Sequence, residues 1–370
     1  MRVLVTGGAG LIGSHVADDL LGAGHEVTIL DNLDPEIHPR GAPDWLRPEC
    51  RFVQGDIRDA AALDRALAGC AGVIHLAAYG GFSPRFSKIV DVNCTGTARL
   101  FEAVRRSGRI ERVVAASSMA VYGEGWYRCA AHGVFHGTPR PLERLERGDW
   151  SMACGVCDAS AEPAPISAAS DARPESAYAA SKFFTERLTL SEGRDLGIAA
   201  VALRFFLTFG PRQSVHNAYS GICSIFSTRV LNDLPPVVYE DGRQTRDMIY
   251  VTDVSRAVCL AFEDPRAAGR VFNVARGRSV AIGDFARMVA RVHGRDVEPE
   301  CDGRFRPLDS RHMLGDIAEL AALGFRPEVD VAEGLERYVE WIRGIGDVRE
   351  YFGEAERTLR AAGIVRRTTG

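Results

Sequence analysis

Tyr178 and Lys182 stand four residues apart in Tyr178-Ala179-Ala180-Ser181-Lys182, and on a helix that spacing puts both side chains on one face. A cation beside a phenol lowers the phenol pKa, so Tyr178 can act as a general acid or base near neutrality. The chain holds only two lysines, Lys88 and Lys182, beside nine tyrosines. Chance would give the Tyr-x-x-x-Lys spacing about once in twenty such sequences. Ser118, in Ala116-Ser117-Ser118-Met119-Ala120-Val121-Tyr122-Gly123, ends an apolar run and is placed to orient a substrate hydroxyl or carbonyl toward Tyr178.

A second group of residues calls for an anion. Gly7-Gly8-Ala9-Gly10-Leu11-Ile12-Gly13 follows Val3-Leu4-Val5 and precedes a helical pattern, the place where a strand turns into a helix. Glycines at Gly7 and Gly10 let backbone N–H groups approach a pyrophosphate. Gly13 lets the helix pack closely on the sheet, with its positive end toward the anion. Asp31 closes the next apolar run, 18 positions after Gly13, where a carboxylate accepts hydrogen bonds from ribose hydroxyls and repels an added 2′-phosphate. With Asn32 next to it and no basic neighbour, the pattern selects NAD over NADP.

These residues need a scaffold, and the periodicity supplies one. Short β-rich runs alternate with helical patterns: Val3 to Val5, Leu11 to Leu21, Val27 to Leu30, Val73 to Leu76, Val92 to Arg106, Val113 to Ala116, Tyr178 to Leu190 and Ala199 to Leu203. The alternation predicts an α/β fold with a doubly wound parallel sheet. The expected NAD-binding domain covers residues 1–205. A smaller substrate lobe with C-terminal helices covers 206–370, including helical patterns at Val254 to Phe262, Ile282 to Val292 and Val331 to Ile342. Residues 125–175, rich in Pro, Gly, Cys, His and Ala and without a clear period, read as an insertion.

Together the glycine loop, Asp31-Asn32, Gly55-Asp56-Ile57, His75-Leu76-Ala77-Ala78, Asn93, Ser118, Tyr178 and Lys182 resemble the extended short-chain dehydrogenase/reductases, in the nucleotide-sugar epimerase/dehydratase branch. The resemblance implies a Rossmann-type domain with a C-terminal substrate lobe. It places Asp56 and Ile57 at the adenine, Leu76, Ala77, Ala78 and Asn93 beside the cofactor, and Phe205 near the nicotinamide amide. Asp241-Gly242-Arg243-Gln244-Thr245-Arg246-Asp247 and Arg306-Pro307-Leu308-Asp309 also resemble that branch. They imply that Arg246 and Arg306, with Asp309 alongside, grip a nucleotide diphosphate, for which guanidinium forks are suited. Leu207 departs from the family, whose members usually carry asparagine there.

Dehydratases of this family place an acid pair directly after the catalytic Ser or Thr. Met119 and Ala120 hold those positions, and neither exchanges a proton. The expected reaction is therefore epimerisation, at C4, of a nucleotide-activated sugar through a 4-keto intermediate. A 4-ketoreductase would use the same three residues, and a non-catalytic NAD-sensing scaffold is the alternative from another class. The family implies a homodimer through helices around residues 92–106 and 177–194.

The insertion carries Cys129-x-x-His132 and Cys154-x-x-Cys157, four ligands in paired spacing that suit a closed, structural tetrahedral zinc. His136 is a competing ligand. This Cys-bearing insertion, with the tail from Asp347 to Val365, resembles the dTDP-L-rhamnose 4-epimerase group.

Bulk properties agree with a globular enzyme: 370 residues, 46% hydrophobic and 25% charged, net charge -4. Without basic runs there is no electrostatic reason to expect nucleic acid or an anionic membrane surface. The apolar run at the N-terminus is too short for a signal peptide or spanning helix, so a cytoplasmic location is expected. Nine cysteines without an export signal argue against a disulfide framework.

Overall fold

Seven strands form one parallel sheet in the computed structural model, which describes residues 1–80, 83–217, 221–346 and 348–369. Across the sheet they run Val271–Val274, Ala199–Phe205, Arg112–Ser118, Gly72–His75, Arg2–Thr6, Glu26–Asp31 and Arg51–Gln54. Val3, Leu4 and Val5 are fully buried, as a parallel strand covered on both faces requires. Helices Leu11–Gly22 and Val251–Glu263 cover one face through Val16, Leu20, Val254 and Val258. Helices Ala60–Leu67 and Gly96–Ser107 cover the other through Leu63, Leu100, Phe101 and Val104. The first strand pairs with Glu26–Asp31 on one side and Gly72–His75 on the other. The strand order reverses there, opening the crevice where doubly wound sheets bind ligands.

The expected boundary at 205 is crossed by the chain. After Leu207–Phe209 and Thr245–Tyr250 build a second sheet with Ser279–Ala281 and His312–Met313, Val251–Glu263 and Val271–Val274 return to the first domain. Sequence periodicity records elements in chain order and carries no signal for this return. The lobe has its own core around Phe209, Tyr250, Phe285 and Tyr338. Helices Ile282–Val292 and Val331–Arg343 stand where their patterns predict. In the tail, whose first residue Asp347 lies outside the described residues, helix Phe352–Ala361 is followed by Arg366–Arg367, which pairs with Arg304–Phe305.

The insertion, aperiodic in sequence, folds as a three-stranded antiparallel sheet with Trp126–Cys129 between Gly133–His136 and Glu162–Ala164. Strands this short fall below the length at which alternation can be read. Buried charges fasten it to the lobe. Arg140 forks onto Glu240 (2.8 and 3.1 Å) and donates to the Asp309 carbonyl (2.8 Å). Glu124 accepts from the Arg311 backbone N–H (2.6 Å) and from the Tyr127 hydroxyl (2.8 Å). Burial pushes the Glu124 carboxyl up to about 7, against the pull of Arg140.

Helix Ala177–Leu196 begins at Ser176, whose hydroxyl accepts from Ala179 N–H (3.1 Å), and ends at Gly197 in the left-handed region. Its buried face is pinned by charge. Glu186 takes a two-pronged bond from Arg204 (2.6 and 2.9 Å) and another from the Ser117 hydroxyl (2.9 Å). Arg204 reaches on to the Tyr122 hydroxyl (2.8 Å) and the Ala168 carbonyl (3.1 Å). Removing one partner strands a buried charge. Arg204→Ala should therefore lower unfolding free energy by about 3–5 kcal/mol, while the apolar pair Glu186→Leu/Arg204→Met should cost less. Urea denaturation measures both. A loss under about 1 kcal/mol for Arg204→Ala would show that the pair is dispensable.

Candidate active site

The glycine loop is dictated by backbone contact. A Cβ on Gly13 would lie 2.2 Å from the Gly7 carbonyl oxygen, and one on Gly7, at φ +70°, would lie 2.8 Å from Ala77 N. Gly10 is different: its Cβ would meet nothing closer than that same carbonyl at 3.4 Å. It caps helix Leu11–Gly22 and lines the cavity, so its bareness serves whatever approaches the helix N-terminus. Asp31 accepts from Ala9 N–H (3.0 Å) and Leu33 N–H (2.9 Å), so one carboxylate fixes the loop and presents charge at the strand end. Trp45, not anticipated from sequence, donates to the Ala9 carbonyl (3.0 Å).

Asn32 donates to Asp56 (3.1 Å). Two side-chain bonds from Arg58 to Asp56 (2.7 and 2.8 Å) hold that carboxyl down at about 2. Thr6 accepts from Leu76 and Ala77 N–H groups (both 3.2 Å), and its hydroxyl bonds His75 (2.8 Å). Burial, with Lys182 nearby, pushes His75 down to about 3, so it is neutral. Asn93 is the exception among the expected cofactor contacts. It is 1% exposed and bonds Tyr79 N–H (2.8 Å), Tyr79 carbonyl (3.0 Å) and Ser181 hydroxyl (2.9 Å). It ties the Tyr79 loop to the Tyr178 helix from behind the wall. A motif match gives the residue and not the direction of its side chain.

A continuous cavity of about 960 Å³ connects the remaining predicted residues. It runs from Asp31, Asn32, Asp56 and Ile57, past Gly7, Gly10, Leu11, Ile12 and Gly13, beside Leu76, Ala77, Ala78 and Phe205, to Ser118, Tyr178 and Lys182, and on to Arg246, Arg306 and Asp309. A long ligand with a diphosphate over the glycine loop fits this outline, and the backbone cradle at Gly7, Gly10 and Gly13 suits the phosphates. Ser118 and Tyr178 stand on the same stretch of the wall, and the Ser118 hydroxyl accepts from the Ala120 N–H (3.2 Å). Contrary to the lowering expected from the Lys182 cation, burial pushes Tyr178 above its ordinary value in the cofactor-free protein, and it brings Lys182 down to about 8. Met119 and Ala120 line the wall beside Ser118, leaving no acid at those two positions, while Glu175 lies on the wall ahead of the Tyr178 helix.

At the far end Asp309 sits between two guanidinium groups. It accepts from Arg246 (2.7 Å) and Arg306 (2.5 and 3.0 Å). Burial would raise its carboxyl, but Arg306 and Arg246 hold it below the usual range. Arg306 lies over the Tyr239 ring, 5.1 Å from its centroid, and Tyr239 is a wall residue that no sequence motif marked. Leu207 lines the cavity as an apolar surface. From the tail, Phe352, Leu359 and Ile364 close this end.

In the insertion the ligand atoms of Cys129, His132, Cys154 and Cys157 all lie within 4.8 Å of one another. Cys129 Sγ is 3.6 Å from His132 Nδ1 and 3.7 Å from Cys157 Sγ, and Cys154 Sγ is 3.5 Å from His132 Nδ1. Tetrahedral zinc with bonds of about 2.3 Å to sulfur and about 2.0 Å to nitrogen separates ligand atoms by roughly 3.5–3.8 Å. The donor set fits that ion. Backbone N–H groups of Ala131 and His132 bring Cys129 down to about 6, and those of Val156 and Cys157 lower Cys154. His136 bonds the Tyr122 carbonyl through Nε2 (2.8 Å) and is not one of the four.

The model of the NAD dependent epimerase/dehydratase family matches residues 3–134 and 152–275. The chain belongs to this family. The unmatched residues 135–151 fall inside the insertion. The chain is 32% identical over 350 residues to the dTDP-L-rhamnose 4-epimerase of Burkholderia thailandensis, covering 92% of this chain and 94% of that protein. It is 29% identical to a dTDP-glucose 4,6-dehydratase of Streptomyces niveus, covering 93% of each. Among solved structures, the Thermus thermophilus UDP-glucose 4-epimerase in complex with NAD is 32% identical with a TM-score of 0.72, over 93% of this chain and 99% of that one.

The two lysines make the electrostatics directly readable. With lysine isotopically labelled, nuclear magnetic resonance of the cofactor-free protein should show Lys182 losing its proton near pH 8. Lys88, where burial is outweighed by bonding to Asp34, should stay charged above the ordinary lysine range. Titration of both at the ordinary value would remove burial as a tuning force at Tyr178.

Proposed function

We propose that this chain is an NAD-dependent nucleotide-sugar 4-epimerase. The observation that carries the reading is one cavity joining a dinucleotide cradle, the Ser118, Tyr178 and Lys182 group, and an arginine pair suited to a diphosphate. NAD held by the Gly7, Gly10 and Gly13 cradle and Asp31 would supply a hydride acceptor able to give the hydride back. Tyr178 then has the proton work: it removes the proton from the C4 hydroxyl and gives it back after the 4-keto sugar has turned its other face. Lys182 stabilises the phenolate, and Ser118, on the same wall as Tyr178, orients the reacting oxygen. Arg246 and Arg306 hold the diphosphate while the sugar turns, so the intermediate stays bound.

Met119 and Ala120 support epimerisation over dehydration, since neither can protonate a leaving hydroxyl. Tyr178→Phe should lower turnover by about 10²–10⁴-fold. A panel of UDP-, dTDP- and GDP-sugars, scored for product stereochemistry and net NADH absorbance, tests the reaction. Epimerisation inverts C4 without net absorbance change. Stoichiometric NADH consumption with a keto-sugar would make the chain a ketoreductase instead, and NAD binding with no turnover would favour the scaffold.

The insertion holds a structural zinc in this reading. The four-ligand spacing supports it, and through Arg140 and Glu124 the ion would stiffen the segment that presents Arg306 and Asp309. Purified protein should carry one zinc per chain, and Cys154→Ser should melt at a lower temperature. Zinc below about one-tenth stoichiometry, with an unchanged melt for Cys154→Ser, would overturn it. The protein also acts as a homodimer. Phe184 on the Ala177–Leu196 helix, and Phe86 and Val90 on the helix packed against it, leave 41%, 58% and 47% of their surface exposed, apolar side chains that a partner copy would cover. Light scattering should report twice the chain mass.

A further inference from the structure

Lys88 has no part in the proton chemistry, yet it is one of two lysines in the chain and it contacts Asp34 and Tyr79, both of which line the cavity. The loop after strand Glu26–Asp31 carries Asp34 and Glu36. The loop after strand Gly72–His75 carries Tyr79 and Ser83 and leads into helix Phe86–Val90, which holds Lys88. Those two strands flank Arg2–Thr6 on opposite sides, and the glycine loop follows Arg2–Thr6. A bond between the outer loops therefore joins the two segments on either side of the strand that leads into the glycine loop.

Several such bonds exist. Lys88 Nζ lies 2.9 Å from Asp34 Oδ2, 3.5 Å from Glu36 Oε1 and 4.2 Å from the centroid of the Tyr79 ring. The Tyr79 hydroxyl donates to Glu36 Oε2 (3.0 Å) and shares a hydrogen bond with Ser83 (3.2 Å). Arg85 adds a second cation on Glu36. The side chains of Lys88 and Asp34 are only 26% and 21% exposed, so this ion pair is less screened than a surface one. Asp34, Tyr79, Ser83 and Phe86 also line the cavity.

We propose that Lys88, with Asp34, Glu36 and Tyr79, forms a clasp that closes over bound NAD and holds it in the protein between turnovers. The inference rests on the NAD-dependent epimerase reading and deepens it. An enzyme that hands back the hydride it takes has no use for cofactor exchange, and losing the reduced cofactor in mid-cycle would leave the keto sugar without its reductant. A dehydrogenase has the opposite need, because its cofactor must leave each turn.

The test is the exchange of bound NAD for isotopically labelled NAD in the full-length protein. Lys88→Ala should release NAD about ten-fold faster, the size of effect expected for a half-buried network rather than an exposed pair. Lys88→Arg, which keeps the cation, should stay near the wild-type rate. After gel filtration Lys88→Ala should lose turnover that added NAD restores, a rescue that a merely misfolded variant would not show. Salt should speed wild-type exchange more than exchange in Lys88→Ala. Exchange in Lys88→Ala within two-fold of wild type would overturn the clasp alone. A wild-type protein that retains no NAD at equilibrium would overturn the cofactor reading and the clasp with it.

Discussion

The guanidinium of Arg204 holds three parts of this molecule in one register. It leaves the sheet at the strand ending in Phe205, forks onto Glu186 on the underside of the helix that carries Tyr178 and Lys182, and touches Tyr122 and the Ala168 carbonyl at the root and far end of the insertion. Ser117, neighbour of Ser118, joins the same carboxylate. Ser118 and Tyr178 come from different elements, and their meeting at one stretch of the cavity wall demands that strand and helix do not slide. A fully bonded ion pair in a low-dielectric interior is a directional constraint that apolar packing does not supply.

Around that fixed centre the cavity changes character along its length. At one end, backbone contact between Gly7 and Gly13 brings the helix N-terminus to the sheet edge, and carboxylates of Asp31 and Asp56 flank it. In the middle, burial dominates and moves Tyr178 and Lys182 in opposite directions, each toward its neutral form. At the other end positive charge returns as Arg246 and Arg306, tempered by Asp309. Charge at both ends with proton-exchanging groups at the centre suits a long anionic ligand pair whose reacting atoms meet midway.

Much of this was legible in the sequence where short-range physics decides the outcome. The glycine loop, the four-residue Tyr–Lys spacing and the paired Cys and His are local patterns, and each stands with its partners in space. Asn93 was legible only as a residue at the cavity, because the choice between facing a ligand and bracing the wall depends on packing against Ser181. Trp45, Arg58 and Tyr239 gave no signal, since single side chains reaching from loops follow no period. The return of the chain to the first sheet at Val271–Val274 was likewise hidden, as pairing partners distant in sequence leave no local trace. The insertion lacked periodicity because its strands are three or four residues long and its small core, Tyr127, Met152 and Ala161 with Phe135, is gathered from separate segments.

The fastening of that insertion has a mechanical consequence. Arg140 and Glu124 satisfy groups on the lobe, Glu240, the Asp309 carbonyl and the Arg311 amide. Cutting out the small sheet would leave those buried groups without compensation. Tolerance to change is therefore graded along the segment: exposed positions away from these bonds can vary, while the residues that make them are as constrained as the central sheet itself.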